Sequence, residues 1–120
     1  MNYLPRIADN LLREHLEAMG AVLIQGPKWC GKTTTAEQQA KSVLRMQDTD
    51  NRAQYLTIAA HQPSFLLEGS KPRLIDEWQI APNLWDAVRV SVDRRGEDGL
   101  YILTGSKQIS QMGKLRCISI

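Results

Sequence analysis

The stretch Ala21-Val22-Leu23-Ile24-Gln25-Gly26-Pro27-Lys28-Trp29-Cys30-Gly31-Lys32-Thr33 runs from an apolar tetrad into two glycines five residues apart and closes on Lys-Thr. The tetrad, set between Gly20 and Gly26, predicts a short strand buried on both faces. From Gly26 onward the chain fits GxxxxGK[ST] at every fixed position. Chance yields that pattern in a chain of this length on the order of once in a few hundred. Its placement, after a buried strand and before a periodic helix, makes coincidence rarer still.

The composition of this segment has a physical reason. A phosphate chain must come close to main-chain N–H groups, so a Cβ at Gly26 or Gly31 would stand in the way. The following helix offers unpaired N–H groups and the positive end of its dipole to the anion. Lys32 is then placed to reach the β- and γ-phosphates, and the Thr33 hydroxyl to take one position on Mg²⁺. Pro27, Lys28, Trp29 and Cys30 fill the loop and Thr34 continues the helix start, so Gly26 to Thr34 is the expected phosphate cradle. Two readings of Trp29 stand side by side: a shield over one side of the nucleotide, and a ring packed on the neighbouring loop. Cys30 reads as an ordinary thiol beside N–H groups that favour its thiolate.

Outward from this segment, strands alternate with helices. Ile7, Leu11, Leu12, Leu16 and Met19 recur at helical spacing opposite Arg13, Glu14 and Glu17, with Gly20 the expected C-cap. Ala36, Ala40, Val43 and Leu44 mark a second helical face after Gly31, and residues 43–47 carry a weak strand signal. Asp50 or Asn51 is placed to cap a helix running to Ala60, and Pro63 to Leu67 predicts a helical turn before Gly69. Arg73-Leu74-Ile75-Asp76 is a strand opening after Pro72. Asn83 is placed to cap a helix with Leu84, Trp85, Val88 and Val92 inward, ending near Gly96. Leu100 to Thr104 is a further strand, stopped by Gly105. This alternation predicts a parallel sheet covered on both faces.

Two strand ends carry the remaining chemistry. Asp76 closes an apolar strand, where ligands of open α/β sheets bind. A carboxylate there can hold Mg²⁺ through its water shell, and Glu77, one residue on, can polarise an attacking water. The alternative, a surface Asp-Glu pair at a strand end, loses weight because Lys32 lies upstream. Thr104 ends the other strand, either as a γ-phosphate or water sensor or as part of a Thr-Gly-Ser turn; Ser106 is the substitute for the sensor role.

Taken together, "YLPRIAD", "GAVLIQGPKWCGKTTTAEQ", "PRLIDEWQIAPNLWDAVR" and "YILTGS" closely resemble a group of prokaryotic AAA-superfamily ATPases, the AAA-fourteen domain proteins. Members are usually much longer and fused to a C-terminal domain of unknown function. The resemblance covers Tyr3 to about Ser106, and GPKWCGKTT and LIDEWQ are more specific than generic phosphate-loop and acidic-strand motifs. It implies an ASCE-type core, with the sensor strand between the strand leading into the phosphate loop and the strand ending in Asp76. It also implies ATP as the nucleotide, in agreement with the absence of an NKxD guanine-reading sequence. Members continue through a glycine-rich segment bearing an arginine, then a fifth strand and a sensor-2 region. Here "KQISQMGKLRCISI" follows instead. Two alignments are open: Gly113 to Arg116 as a remnant of the arginine segment, or "LRCISI" as the later strand after a deletion. In either, an exposed basic tail residue is the better reading of Arg116 than a transition-state arginine.

The expected fold is thus α/β, a three-layer P-loop core of ASCE/AAA type. Its parallel sheet has about four strands with helices on both faces and the C-terminal part missing. Residues 1–106 form the ATPase core with its N-terminal helix, and 107–120 a divergent or truncated tail. Loss of a fifth strand would expose the first strand's edge, a place for self-association that "LRCISI" would partly cover. The expected function is Mg²⁺-dependent ATP binding with potential hydrolysis. The rival is a fragment that binds nucleotide without turnover. A small-molecule kinase is less well supported, because no arginine-rich lid follows the sensor strand.

Composition narrows the classes. The chain has 120 residues, 42% of them hydrophobic, and a formal net charge of +2, enough for one small core. No Lys/Arg block and no aromatics interleaved with basic residues support nucleic-acid binding. No apolar run approaches the roughly 18 residues of a spanning helix, and Met1 to Leu16 is unlike a secretory signal. Two cysteines, Cys30 and Cys117, outside any CxxC pair, argue against a metal or disulfide scaffold and for the reducing cytoplasm. His15 and His61 stand in no catalytic spacing, Trp78 and Trp85 read as packing, and Arg89, Arg94 and Arg95 with Asp86, Asp93 and Glu97 read as a solvated helix face.

Alkylation of Cys30 is expected to block nucleotide binding, and ATP to slow that modification. Mass spectrometry of the labelled chain measures this; equal labelling with and without ATP would contradict it.

Overall fold

Apolar residues on both faces of the strands dictate the architecture of the computed structural model, which describes residues 5–25, 32–105 and 116–119. Five parallel strands form one sheet in the order β2-β3-β4-β1-β5: β1 Ala21–Gln25, β2 Ser42–Arg45, β3 Arg73–Asp76, β4 Tyr101–Gly105 and β5 Arg116–Ser119. Among the described residues α1 Pro5–Ala18 precedes β1, and α2 Lys32–Gln39, α3 Arg52–His61 and α4 Asn83–Arg95 connect β1 to β2, β2 to β3 and β3 to β4. No helix among the described residues is long and apolar enough to cross a membrane.

Alternate residues of each strand feed opposite faces of the sheet. On one face Leu12 and Leu16 of α1 and Ala36 of α2 cover Val22, Ile24, Leu74 and Ile102. On the other, α3, α4 and a 3-10 turn, Pro63–Leu67, cover Leu23, Leu44, Ile75, Tyr101 and Leu103. The result is the expected three-layer α/β core. Leu11, read as inward from its spacing, sits at the margin of α1 and is partly exposed.

The strand count departs from the expected four. β5 pairs with β1 from Val22↔Arg116 to Gln25↔Ser119, so β1 is not an edge strand and β2 and β5 are the outer strands. Self-association through an open β1 edge therefore loses its basis, because the β1 ladder groups on that side are already paired. Within "LRCISI", Arg116–Ser119 is a strand. Arg116 stands two residues short of the β5 position opposite Ile24.

Two expected caps act differently. Gly20 does not adopt a left-handed conformation, unlike Gly69, Gly96 and Gly99. A Cβ on it would lie 2.4 Å from Val92 Cγ1 and 3.1 Å from Glu97 O, so its small size lets the α1–β1 junction meet the end of α4. Its carbonyl also accepts from Leu100 N and Tyr101 N. Asn83 is the first residue of α4, with Pro82 at the cap position; its side chain instead donates to Ala59 O at 2.9 Å, tying α4 to α3. Asn51 occupies the cap position of α3 without a side-chain cap bond. Gly96 closes α4 with φ 61° as expected, its N–H bonding Val92 O. The charged face of α4 is solvated, with Arg89–Asp86 at 3.1 Å and Arg95–Glu97 at 3.2 Å.

Gly20→Ala is expected to destabilise the fold by about 1–3 kcal/mol through overpacking against Val92. Urea unfolding of the variant beside the parent measures the difference; an unchanged midpoint would show that the junction relaxes freely.

Candidate functional site

Strand register sets the site before any side chain is considered. Arg45 lies opposite Asp76, Asp76 opposite Thr104, and Thr104 opposite Ile24, a single row across β2, β3, β4 and β1. This row stands at the C-terminal ends of the strands, where parallel α/β sheets bind ligands. In β1 only Gln25 separates the row from the glycine-containing loop. The two strand-end signals and the end of β1 are thus neighbours in space because the strands are parallel and in register.

The acidic strand end is closed and ordered. Asp76 and Glu77 are 8% and 5% exposed and Thr104 is fully buried, so their polar atoms need partners within the protein. Thr104 Oγ1 donates to Asp76 Oδ1 at 2.6 Å and accepts from the Glu77 N–H at 3.3 Å. One hydroxyl therefore links the side chain of one acid to the backbone of the next. Glu77 has φ 57° and ψ 54°, the left-handed conformation, and no other non-glycine among the described residues has a positive φ. Holding a glutamate there costs on the order of 1–3 kcal/mol, a strain that clusters at functional sites. The turn aims Glu77 away from the continuing strand direction and starts the 3-10 turn Trp78–Ile80.

Several residues at the site escaped the sequence reading. Gln79 Nε2 donates to Glu77 Oε2, while Gln79 Oε1 and Trp78 Nε1 are buried with no hydrogen-bond partner among the described residues. Both orphan atoms face Gly105: a Cβ there would lie 2.5 Å from Gln79 Oε1 and 3.0 Å from Trp78 Nε1. Gly105 is thus small so that this polar turn can close over the end of β4, a need hidden in the sequence by its look of a simple strand terminator. Trp78 also stacks on Trp85, centroids 5.0 Å apart, which fits the packing role read for both. Arg45 reaches Glu37 Oε1 at 2.6 Å and lies 3.9 Å from Asp76 Oδ2. No local motif marks Arg45; its place follows from β2 pairing with β3.

Of the expected site residues, Asp76, Glu77 and Thr104 come together. Lys32, Thr33 and Thr34 open α2, their side chains lying outside the described set, and Gly26, Pro27, Lys28, Trp29, Cys30, Gly31 and Ser106 lie outside the described residues altogether. The donor set suits a hard cation. Asp76 offers only oxygen, as magnesium requires, and one carboxylate leaves room for phosphate and water to complete its shell. Among the described residues no group of three or more His, Cys, Asp or Glu is placed to hold a metal ion.

Comparison with known proteins agrees with this fold. The model of an AAA domain family, AAA_14, matches residues 19–117. The uncharacterized protein Rv2008c of Mycobacterium tuberculosis and the uncharacterized protein Mb2031c of Mycobacterium bovis are each 32% identical over 110 residues, 90% of this chain. The chain spans only 24% of the length of either relative. With a family match over most of its length and the parallel sheet that such a domain requires, the chain belongs to the AAA_14 family of AAA domains, a family of ATPase-like nucleotide-binding domains.

Proposed function

We propose that this domain binds Mg²⁺·ATP at the C-terminal end of its sheet and carries the groups for hydrolysing it. The observation that supports this most directly is the buried cluster of Asp76, Glu77 and Thr104, one strand away from the point where β1 enters the GPKWCGKT loop. The main chain of Gly26 to Gly31 cradles the phosphates and Lys32 offsets the β- and γ-phosphate charge. Thr33 and Asp76 hold Mg²⁺, which when bound spreads the negative charge developing on the phosphate oxygens. Glu77 orients and deprotonates the attacking water.

Thr104 connects these roles. Its proton is held by Asp76 and its oxygen receives the Glu77 N–H, so a shift of that hydroxyl toward a γ-phosphate oxygen is felt by both acids. Arg45, between Glu37 and Asp76, offsets part of the negative charge gathered at the row.

One observation favours a second reading, nucleotide binding without turnover. The Glu77 carboxylate is already engaged by Gln79 Nε2, so that oxygen is not open to a water unless the bond gives way. Phosphate release separates the two readings.

Two outcomes are expected. Lys32→Ala weakens ATP binding about 10- to 100-fold, the value of a charge-assisted phosphate contact, as measured by calorimetry with Mg²⁺. Glu77→Gln keeps ATP affinity within a few-fold and lowers the steady rate of phosphate release by about 10²-fold or more. Absence of any heat with ATP or ADP would overturn the proposal; binding with no release in the parent chain would select the second reading.

A further inference from the structure

The opposite end of the sheet carries a second concavity. Lys71 precedes β3 and Tyr101 opens β4, so both lie at the N-terminal strand ends, away from Asp76 and Thr104. Between these strand ends, α4 and the Pro63–Leu67 turn is an open cleft of about 700 Å³. That volume lies within the range of small-molecule sites.

Its walls are of two kinds. Leu67, Ala87, Val90 and the Tyr101 ring form an apolar side, and Val90 is 49% exposed there. Lys71, Arg94 and Arg95 form a basic side. The Lys71 ammonium donates to Leu67 O at 2.5 Å and stands 4.8 Å from the Tyr101 ring centroid. Among the described residues, neither Lys71 nor Arg94 has a carboxylate within ion-pair distance.

The charges of Lys71 and Arg94 are therefore not neutralised by an ion pair among the described residues, whereas Arg95 is held by Glu97. Burial holds the Lys71 ammonium below its ordinary lysine pKa, and Arg95 and Arg73 push it the same way, with Glu68 opposing. A half-buried cation crowded by two others is a place where an anion is stabilised. Asp86, also in the wall, is occupied by Arg89. Glu68 and Asp86 against Lys71, Arg94 and Arg95 leave one net positive charge, which suits a monoanion better than a phosphate dianion. Ser91 and Tyr101 share one hydrogen bond of 2.7 Å between two hydroxyls, leaving a second hydroxyl proton to donate.

We propose that this cleft is a second ligand site, distinct from the nucleotide end, for a small carboxylate with an apolar or aromatic body. The carboxylate faces Lys71 and Arg94, the two wall cations outside any ion pair among the described residues, and the body lies on Leu67, Ala87 and Val90. The ligand class follows from the pairing of one net positive charge with a mainly apolar wall. It is independent of whether the domain turns over ATP.

The test is a heteronuclear NMR titration of the full chain with phenylbutyrate, and with phenylbutyramide as the uncharged counterpart. Phenylbutyrate is expected to give saturable shifts at Lys71, Ser91, Arg94 and Tyr101, and the amide to bind about 10-fold more weakly or not at all. Arg94→Gln is expected to weaken phenylbutyrate about 10-fold, and Val90→Asp, on the exposed face of α4, to remove saturable binding. The dispersion of each variant's spectrum reports its folding, so loss of binding is read only in a folded chain. No saturable shift, equal binding of acid and amide, or undiminished affinity in both variants would overturn the proposal.

Discussion

A hydrogen bond of 2.6 Å from Thr104 Oγ1 to Asp76 Oδ1 joins two neighbouring strands at the end of the sheet where the chemistry gathers. A carboxylate at 8% exposure would be costly without such a partner, because desolvation penalises charge that nothing compensates. The same hydroxyl accepts the Glu77 N–H, so one small side chain settles the positions of two acids. Everything else at this end is arranged around that pair. Glu77 takes a left-handed turn to leave the strand, Gln79 closes back onto its carboxylate, and Gly105 makes room for the closure.

The bond exists because β3 and β4 are parallel and in register, with Asp76 directly opposite Thr104. That register rests in turn on apolar packing on both faces. Leu74 and Ile102 point to α1 and α2, and Ile75 and Leu103 to α3 and α4, so a slip of one residue would exchange the two layers. The core thereby specifies the site. The two ends of the sheet differ in chemistry for the same reason: strand ends at the C-terminal side converge on acids and a hydroxyl, and those at the N-terminal side on Lys71 and Tyr101 beside the basic end of α4.

Much of this was legible in the residues themselves. Continuous apolar runs announced β1, β3 and β4, and the spacing of Leu84 and Val88 announced α4, because burial on both strand faces or on one helix face leaves a local pattern. Asp76, Glu77 and Thr104 were readable as site candidates because each stands at the end of such a run. β2 was weakly signalled because its outer position leaves Val43 and Arg45 exposed, and β5 was ambiguous because the segment before it carries no apolar period.

Sequence by itself determined the alternation of strands and helices, the phosphate-loop pattern after β1 and the acids at the end of β3, since these depend on neighbours within a few residues. Only the tertiary structure decided what depends on residues far apart in the chain. Gly20 proved to be a close-packing position against Val92 and not a helix cap, and Asn83 a tie to Ala59. Arg45 joined the acidic row, and β5 covered the edge of β1. Strand order and register bring these groups together, and neither is encoded in any local spacing, because the pairing of parallel strands is chosen by the packing of the whole sheet between its two helical layers.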